Sequence, residues 1–247
     1  MNDSKVKSAR RVIQVLEYFD EMRSDASVMD VARALDMPQS STTELLKCLS
    51  DLGYLAYDPR VRRYMPTHRV ALLGSWIQAP YLGEGRVVQM MEELGEKTRE
   101  TIILGEPSGQ VVRYIYVVPS RQAMRLHVGP GTMRPIARSG LGKLFLTTYP
   151  PERVKDLLKR INADREPGER VISYAELESE LEDIRTKGYH LFTDGVNVGA
   201  GLVGMLLPQT GGYPPLGIGI GGLAENIVRN APEFIEAMRQ SINRYFG

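Results

Sequence analysis

Residues 35–55, LDMPQSSTTELLKCLSDLGYL, join two different compositions. From Leu45 onward the leucines fall where one side of a helix is buried, while Gln39 to Thr43 is a run of small hydrogen-bonding side chains. Advancing 100° per residue, Leu45, Leu46, Leu49 and Leu52 share one side, and Ser40, Thr43, Glu44 and Lys47 share the other, flanked by Gln39 and Ser41. Pro38 suits the first turn of such a helix. Polar residues ahead of packing residues are what a recognition helix needs, because its front meets base edges in the major groove. A solvated first turn has the same composition, so the flanking sequence decides between them.

Upstream, Val12, Ile13, Leu16 and Phe19 keep helical spacing, with Ser8 in place to cap. A second helix follows Ser27, with Asp30 three residues on in a variant of the capping box, and Val28, Val31, Ala32 and Leu35 on its inner face. Downstream, Gly53 ends the third helix, Tyr54–Tyr57 reads as a strand, Asp58-Pro59 as a turn, and Val61–Met65 as the returning strand. That hairpin carries Arg60, Arg62 and Arg63 with no acid between them, and a second basic cluster, Lys5, Lys7, Arg10 and Arg11, lies near the N-terminus. Three helices followed by a strand, a basic tip and a strand predict a winged helix-turn-helix whose wing lies along phosphates. Residues expected to meet double-stranded DNA are Arg10, Gln39, Ser40, Ser41, Thr43, Lys47, Arg60, Arg62 and Arg63.

Bulk properties neither demand nor oppose this. The 247 residues suit two domains. Charge is balanced, 31 basic against 30 acidic, so any polyanion contact must come from local clusters. Apolar runs fall short of the roughly 20 residues of a membrane span, and the charged start lacks a secretory apolar core. With the lone Cys48, this predicts a cytoplasmic protein without membrane contact or disulfide. Cys48 is expected to be half-buried packing beside Leu49. Thr67–Gln78 reads as a linking helix closed by Pro80, which gives domains at 1–66 and 83–247 with a linker at 67–82.

Beyond Gly83, helices alternate with local strand pairs. Helices are expected near 87–97, 140–148, 152–161, 174–187 and from Glu225, and strands near 101–104, 111–118, 123–127, 189–192, 202–207 and 216–220, an α/β domain with a largely antiparallel sheet. GIGIGG at 217–222 formally fits a dinucleotide fingerprint, but only one helix remains after it, so it reads as a glycine-rich strand whose bare face forms a cavity wall. No catalytic set is visible: His68, His127 and His190 lack metal-ligand spacing, and there is no nucleophile elbow. Neither a catalytic residue, a metal nor a cofactor is expected.

Taken in order, SARRVIQVLEYF, VMDVARALDMPQSSTTELLKCLSDLGYL, the RRY of the wing, RPIARSGLGKLFLT, LEDIRTKGY and GIGIGGLAENI resemble the IclR family of bacterial transcriptional regulators over roughly residues 5–245. The resemblance implies an α+β chain: an N-terminal winged helix-turn-helix, a linker helix and a C-terminal GAF-like α/β domain that binds a small-molecule effector. It also implies a homodimer or homotetramer. Carried over position by position, the effector site falls on Ala123, on the turn Ser139, Gly140, Leu141, Gly142 and Lys143, on Phe192, Ala200 and Leu202, and on Gly219 and Gly221.

Two departures from the family pattern bear on specificity. Family members that bind small oxo-acids often carry hydroxyl, thiol or acidic groups at the last five of those positions. Here they are apolar, and such a lining cannot desolvate a small hydrated acid through its side chains. The expectation is therefore an aromatic compound, an aromatic acid above all, with backbone N–H groups at Ser139–Leu141 as anion site and Arg138 as a second anchor. Glu44 stands where arginine is frequent; it either accepts from a cytosine or pairs with Lys47. The rival functions are an enzyme on the C-terminal domain, with the winged helix as an interaction module, and a regulator without effector.

Overall fold

The computed structural model describes residues 3–73, 85–122, 125–166, 168–209 and 214–247, and the chain divides into two compact units, Met1–Gln78 and Ala79–Gly247.

The first unit packs α1 (Asp3–Met22), α2 (Val28–Ala34) and α3 (Gln39–Asp51) around Val15, Phe19, Val31, Leu46 and Leu49, and closes with the hairpin β1 (Leu55–Asp58) and β2 (Arg63–Pro66) and the short α4 (His68–Leu72). The helix α1 begins at Asp3, so Ser8 lies inside it rather than at its cap. At α2 the capping box forms as expected: the Ser27 hydroxyl accepts from Asp30 N, and the Asp30 carboxylate accepts from Ser27 N. Two bonds donated to that carboxylate, from Ser27 N first and from the Ser27 hydroxyl second, hold the Asp30 carboxyl below its ordinary value. The cap is therefore fully formed at neutral pH and weakens as acid protonates Asp30. The first wing strand lies one residue later than the sequence pattern suggested, and the returning strand starts two residues later. Strand pairing starts at Leu55↔Pro66 and ends at Asp58↔Arg63, because Pro59–Arg62 forms the turn, with Arg62 at φ 56°. Ala26 bridges Tyr64 through two backbone bonds of 2.7 and 3.0 Å, which tie the wing to the α1–α2 connection.

The second unit is a six-stranded, wholly antiparallel sheet in the order β5-β4-β3-β8-β7-β6. Its strands are β3 (Thr101–Ser108), β4 (Val111–Val118), β5 (Met133–Pro135), β6 (His190–Thr193), β7 (Ala200–Leu206) and β8 (Gly217–Leu223). Strand alternation gives it two apolar faces. One, with Ile102, Leu104, Val203, Met205, Ile218 and Ile220, is covered by α5 (Arg86–Thr98) and α9 (Ala224–Phe246). The other, with Ile103, Val112, Tyr114 and Leu202, is covered by α6 (Gly140–Leu146), α7 (Pro151–Ala163) and α8 (Tyr174–Lys187).

Three sequence expectations change here. Of the strand expected at 123–127, the described residues 125–127 are irregular, as are 128 and 129, and Ala123 and Met124 lie outside the described residues. Val111–Arg113 pair instead with Met133–Pro135, a segment too short to show alternation in the sequence. Of the expected linker helix, α4 covers only His68–Leu72, and residues 74–84 lie outside the described residues. The bare face of β8 is not a cavity wall at Gly217 and Gly219, because α6 fills it. A Cβ on Gly219 would stand 2.9 Å from Leu202 Cδ1 and 3.4 Å from Leu141 Cδ2; on Gly217, 2.9 Å from Phe145 Cζ; on Gly204 of β7, 2.9 Å from both Leu141 Cδ2 and Leu144 Cδ1. The glycines let α6 sit directly on the sheet.

From behind, the same helix is held by Gly142, where a Cβ would lie 2.0 Å from the Ile136 carbonyl oxygen. Glycine to alanine inside a helix normally gains about 1 kcal/mol. Here backbone opposes it, so Gly142→Ala is expected to lower stability by about 3 kcal/mol, read from urea unfolding followed by circular dichroism. A stabilised variant would show that α6 is free to shift.

Candidate functional site

On α3 the outward arc is polar. Gln39, Ser40, Thr43, Glu44 and Lys47 are exposed, Ser41 is half-buried, and Leu46 and Leu49 face the core together with the fully buried Thr42. Thr42 fits among leucines because its hydroxyl donates to Pro38 O at 3.0 Å, leaving only its methyl toward the apolar neighbours. Thr43 does the same outward, donating to Gln39 O at 2.8 Å. Leu52, expected inward, is 54% exposed, since the helix turns into the Gly53 corner there. Cys48 is exposed rather than half-buried. Among the described residues Glu44 and Lys47 form no ion pair, so of the two alternatives for Glu44 the pairing across that turn is absent, and both side chains are exposed on the outer arc.

Arg10 is exposed on α1, and Arg60 and Arg62 are exposed at the wing tip, where Asp58 Oδ1 accepts from Arg60 N at 2.8 Å and shapes the turn. Arg63 differs from the sequence expectation of a bare cluster. Its Nε donates to Asp25 Oδ1 at 2.9 Å, its Nη2 donates to Asp25 O at 2.9 Å, and it lies 3.4 Å from Asp30 Oδ2. Both acids come from the α1–α2 region, which is why no acid appears beside Arg63 in the sequence. Changing Arg60 and Arg62 together to alanine is expected to flatten the dependence of log K on log salt by roughly one to two units. Arg63→Ala, whose partners are partly exposed, should instead cost about 1 kcal/mol or less of stability and leave most of the slope. Fluorescence anisotropy on one DNA duplex across a salt series separates the two.

In the second unit a cleft of about 60 Å³ opens beside α6. Of the residues expected there, Ser139, Gly140, Phe192, Ala200 and Leu202 line it. Gly221 stands behind that wall: a Cβ on it would meet Leu126 Cδ1 at 3.2 Å and Ile103 Cδ1 at 3.3 Å, and both side chains line the cleft. Leu141 and Gly219 belong to the core contact between α6 and the sheet. Arg138 turns away, donating to Arg170 O at 2.7 Å with Glu169 3.9 Å off. Lys143 is paired with Glu180 and lies 5.0 Å from the Phe192 ring centroid, outside the lining. The remaining lining, which sequence reasoning missed, includes Ile103, Tyr114, Leu126, Val128, Arg134 and the loop Gly195-Val196-Asn197.

The mouth of the cleft is closely fitted. Ser139 caps α6, its hydroxyl accepting from Gly142 N at 3.3 Å. The Gly140 carbonyl accepts from His190 Nδ1 at 3.0 Å, so that nitrogen carries the hydrogen. Burial holds the imidazole below its ordinary value, against the opposing pull of that carbonyl. A Cβ on Gly195 would fall 2.0 Å from Phe192 Cε1, so the β6–β7 loop rests directly on that ring. The loop is closed by Asp194 Oδ1, which accepts from Gly199 N at 2.7 Å, and by the bond from Asp194 N to Ala200 O at 2.9 Å.

Comparison with known proteins agrees with both units. The IclR helix-turn-helix domain matches residues 8–59, and the C-terminal domain of the bacterial transcriptional regulator IclR matches residues 86–244. The chain is 28% identical over 185 residues to the HTH-type transcriptional regulator KdgR of Dickeya chrysanthemi, spanning 74% of this chain and 60% of that protein. To the transcriptional repressor IclR of Escherichia coli (strain K12) it is 24% identical, over 75% of this chain and 68% of that one. Among solved structures, Thermotoga maritima IclR superposes with a TM-score of 0.59 at 21% identity, covering 97% of this chain and 99% of its own. Among the described residues, no helix is long and apolar enough to cross a membrane. With family matches over both units and a fold shared along nearly its whole length, the chain belongs to the IclR family of bacterial transcriptional regulators.

Proposed function

We propose that this regulator binds double-stranded operator DNA through α3 and the wing, and that a small-molecule effector held in the cleft of the α/β unit tunes that affinity. The observation that carries the DNA reading is the outer arc of α3, whose exposed side chains from Gln39 to Lys47 are polar and stand in the same unit as the exposed Arg60 and Arg62. Exposed apolar side chains of that unit, Ile13 (54%), Leu72 (65%) and Leu73 (53%), suit pairing with a second copy, in keeping with a homodimer or homotetramer. Gln39 and Ser40 reach base edges by hydrogen bonding. Thr43 reads differently: its hydroxyl hydrogen is already given to Gln39 O, so its methyl is the group left to touch a thymine. Gln39→Ala and Thr43→Ala should each cost about 1–3 kcal/mol on the operator and little on random DNA. Thr43→Ser, which keeps the hydroxyl and loses the methyl, should cost nearly as much as Thr43→Ala. Equal losses on both DNAs would make these residues backbone contacts.

The effector reading rests on the lining of the cleft. Ile103, Leu126, Val128, Phe192, Ala200 and Leu202 offer apolar surface and disfavour a small hydrated acid, which supports an aromatic compound, an aromatic acid above all. The cleft, about 60 Å³, holds about two waters rather than a ring. Binding therefore requires the exposed 194–199 loop to move off Phe192. Ala200→Trp, which fills the cleft from β7, should abolish calorimetric binding of aromatic carboxylates. Wild type that binds short oxo-acids but no aromatic acid would overturn the size reading, and equal binding by wild type and Ala200→Trp would locate the site elsewhere.

A further inference from the structure

The lining of the cleft holds a single charged side chain among the described residues, Arg134. Its position is unusual for an arginine. On the three-residue edge strand β5, Met133 (56% exposed) and Pro135 point outward, and alternation sends Arg134 inward, onto the face of its cross-strand partner Val112. Val112 is fully buried, and Tyr114, two residues along β4 on the same face, is 6% exposed. Burial raises the Tyr114 phenol, and the positive charge of Arg134, which lines the same cleft, opposes that rise. Among the described residues no carboxylate pairs with Arg134, whereas Arg138 and Lys143 on the neighbouring turn both have acid partners. A half-buried guanidinium on the wall of an otherwise apolar cleft offers its donors to an anion placed there.

We propose that Arg134 is the carboxylate-recognising residue of the cleft, with Tyr114 as the positioning residue that holds its guanidinium, so that the effector is a monoanionic carboxylic acid whose neutral amide is rejected. This rests on the cleft being the effector site, and it moves the anion contact from the α6 turn to the edge strand β5. One cation matches one carboxylate; a dicarboxylate would bring a second charge against Phe192, Leu202 and Ile103 with nothing to meet it.

The test titrates full-length protein calorimetrically with benzoate, phenylacetate and cinnamate, each beside its amide. Wild type should favour the best acid over its amide by about 10–100-fold. In Arg134→Leu that ratio should fall to near one through loss of acid binding, with amide affinity little changed. Arg134→Lys should keep part of it, since an ammonium supplies charge without the two-pronged fork. Tyr114→Phe should lower the ratio without abolishing it, an effect that loss of packing alone would not give. An unchanged ratio in folded Arg134→Leu overturns the assignment and leaves the cleft reading intact, provided Ala200→Trp still blocks binding. Should Arg134→Leu fail to fold, an unchanged ratio in Arg134→Lys overturns it in the same way. Acid binding that survives Ala200→Trp overturns the cleft reading itself, as does a wild type that binds none of the acids.

Discussion

The seating of α6 on bare backbone organises the second unit. Gly204, Gly217 and Gly219 remove the side chains that would hold a helix off the sheet, and Gly142 lets the helix meet the Ile136 carbonyl from behind. Leu141, Leu144 and Phe145 then fill the face that the glycines leave open, at the density of a protein interior. One side of the cleft is positioned by this contact. Ser139 and Gly140 are the first residues of the seated helix, Leu202 is wedged between it and the sheet, and Phe192 lies against Gly140. The glycines cost backbone entropy and weaken the strands that carry them, a cost offset by the apolar area that α6 buries.

The first unit rests on a different device. Its core is small, so polar contacts orient the parts that face outward. The Ser27–Asp30 box starts α2, Arg63 joins Asp25 and Asp30 to the wing, and the Ala26–Tyr64 bridge adds backbone bonds at the same place. The wing base and the start of α2 are therefore one assembly, and only the turn Pro59–Arg62 projects from it. Of the three wing arginines, one fixes the geometry and two are left at the tip.

Elements with a strong period were legible in the sequence. The helices α2 and α3, the wing, the acidic α8 and most strands fall where apolar spacing and turn residues put them. What escaped depended on partners distant in the chain. The start of α1 was missed because Asp3–Lys7 offers no apolar rhythm. Arg63 read as bare because its acids lie 38 and 33 residues away. GIGIGG was correctly read as a bare strand face, but a sequence shows only that a side chain is missing, not which neighbour takes the space; here it was Leu141 and Phe145. Arg134 escaped for the opposite reason. Three paired residues, Met133–Pro135, are too few to show by alternation that one arginine faces inward.

The β6–β7 loop is not joined to its own strands alone. Ala224 N donates to Gly199 O at 2.9 Å, and Ala224 is the first residue of α9, a helix of 23 residues. On the next turn Ile227 packs beneath Gly201, where a Cβ would be 3.0 Å from its Cβ. At 1.5 Å per residue that helix runs about 35 Å. The loop over Phe192 is thus fastened to one end of the longest helix in the described chain, which carries Pro232 in its interior. Lifting it by more than the stretch of a hydrogen bond either breaks the Gly199–Ala224 link or drags the first turn of α9 along. In the second case, a displacement small enough to admit a ring is carried into the two turns of α9 ahead of Pro232, where the missing N–H lets the helix bend.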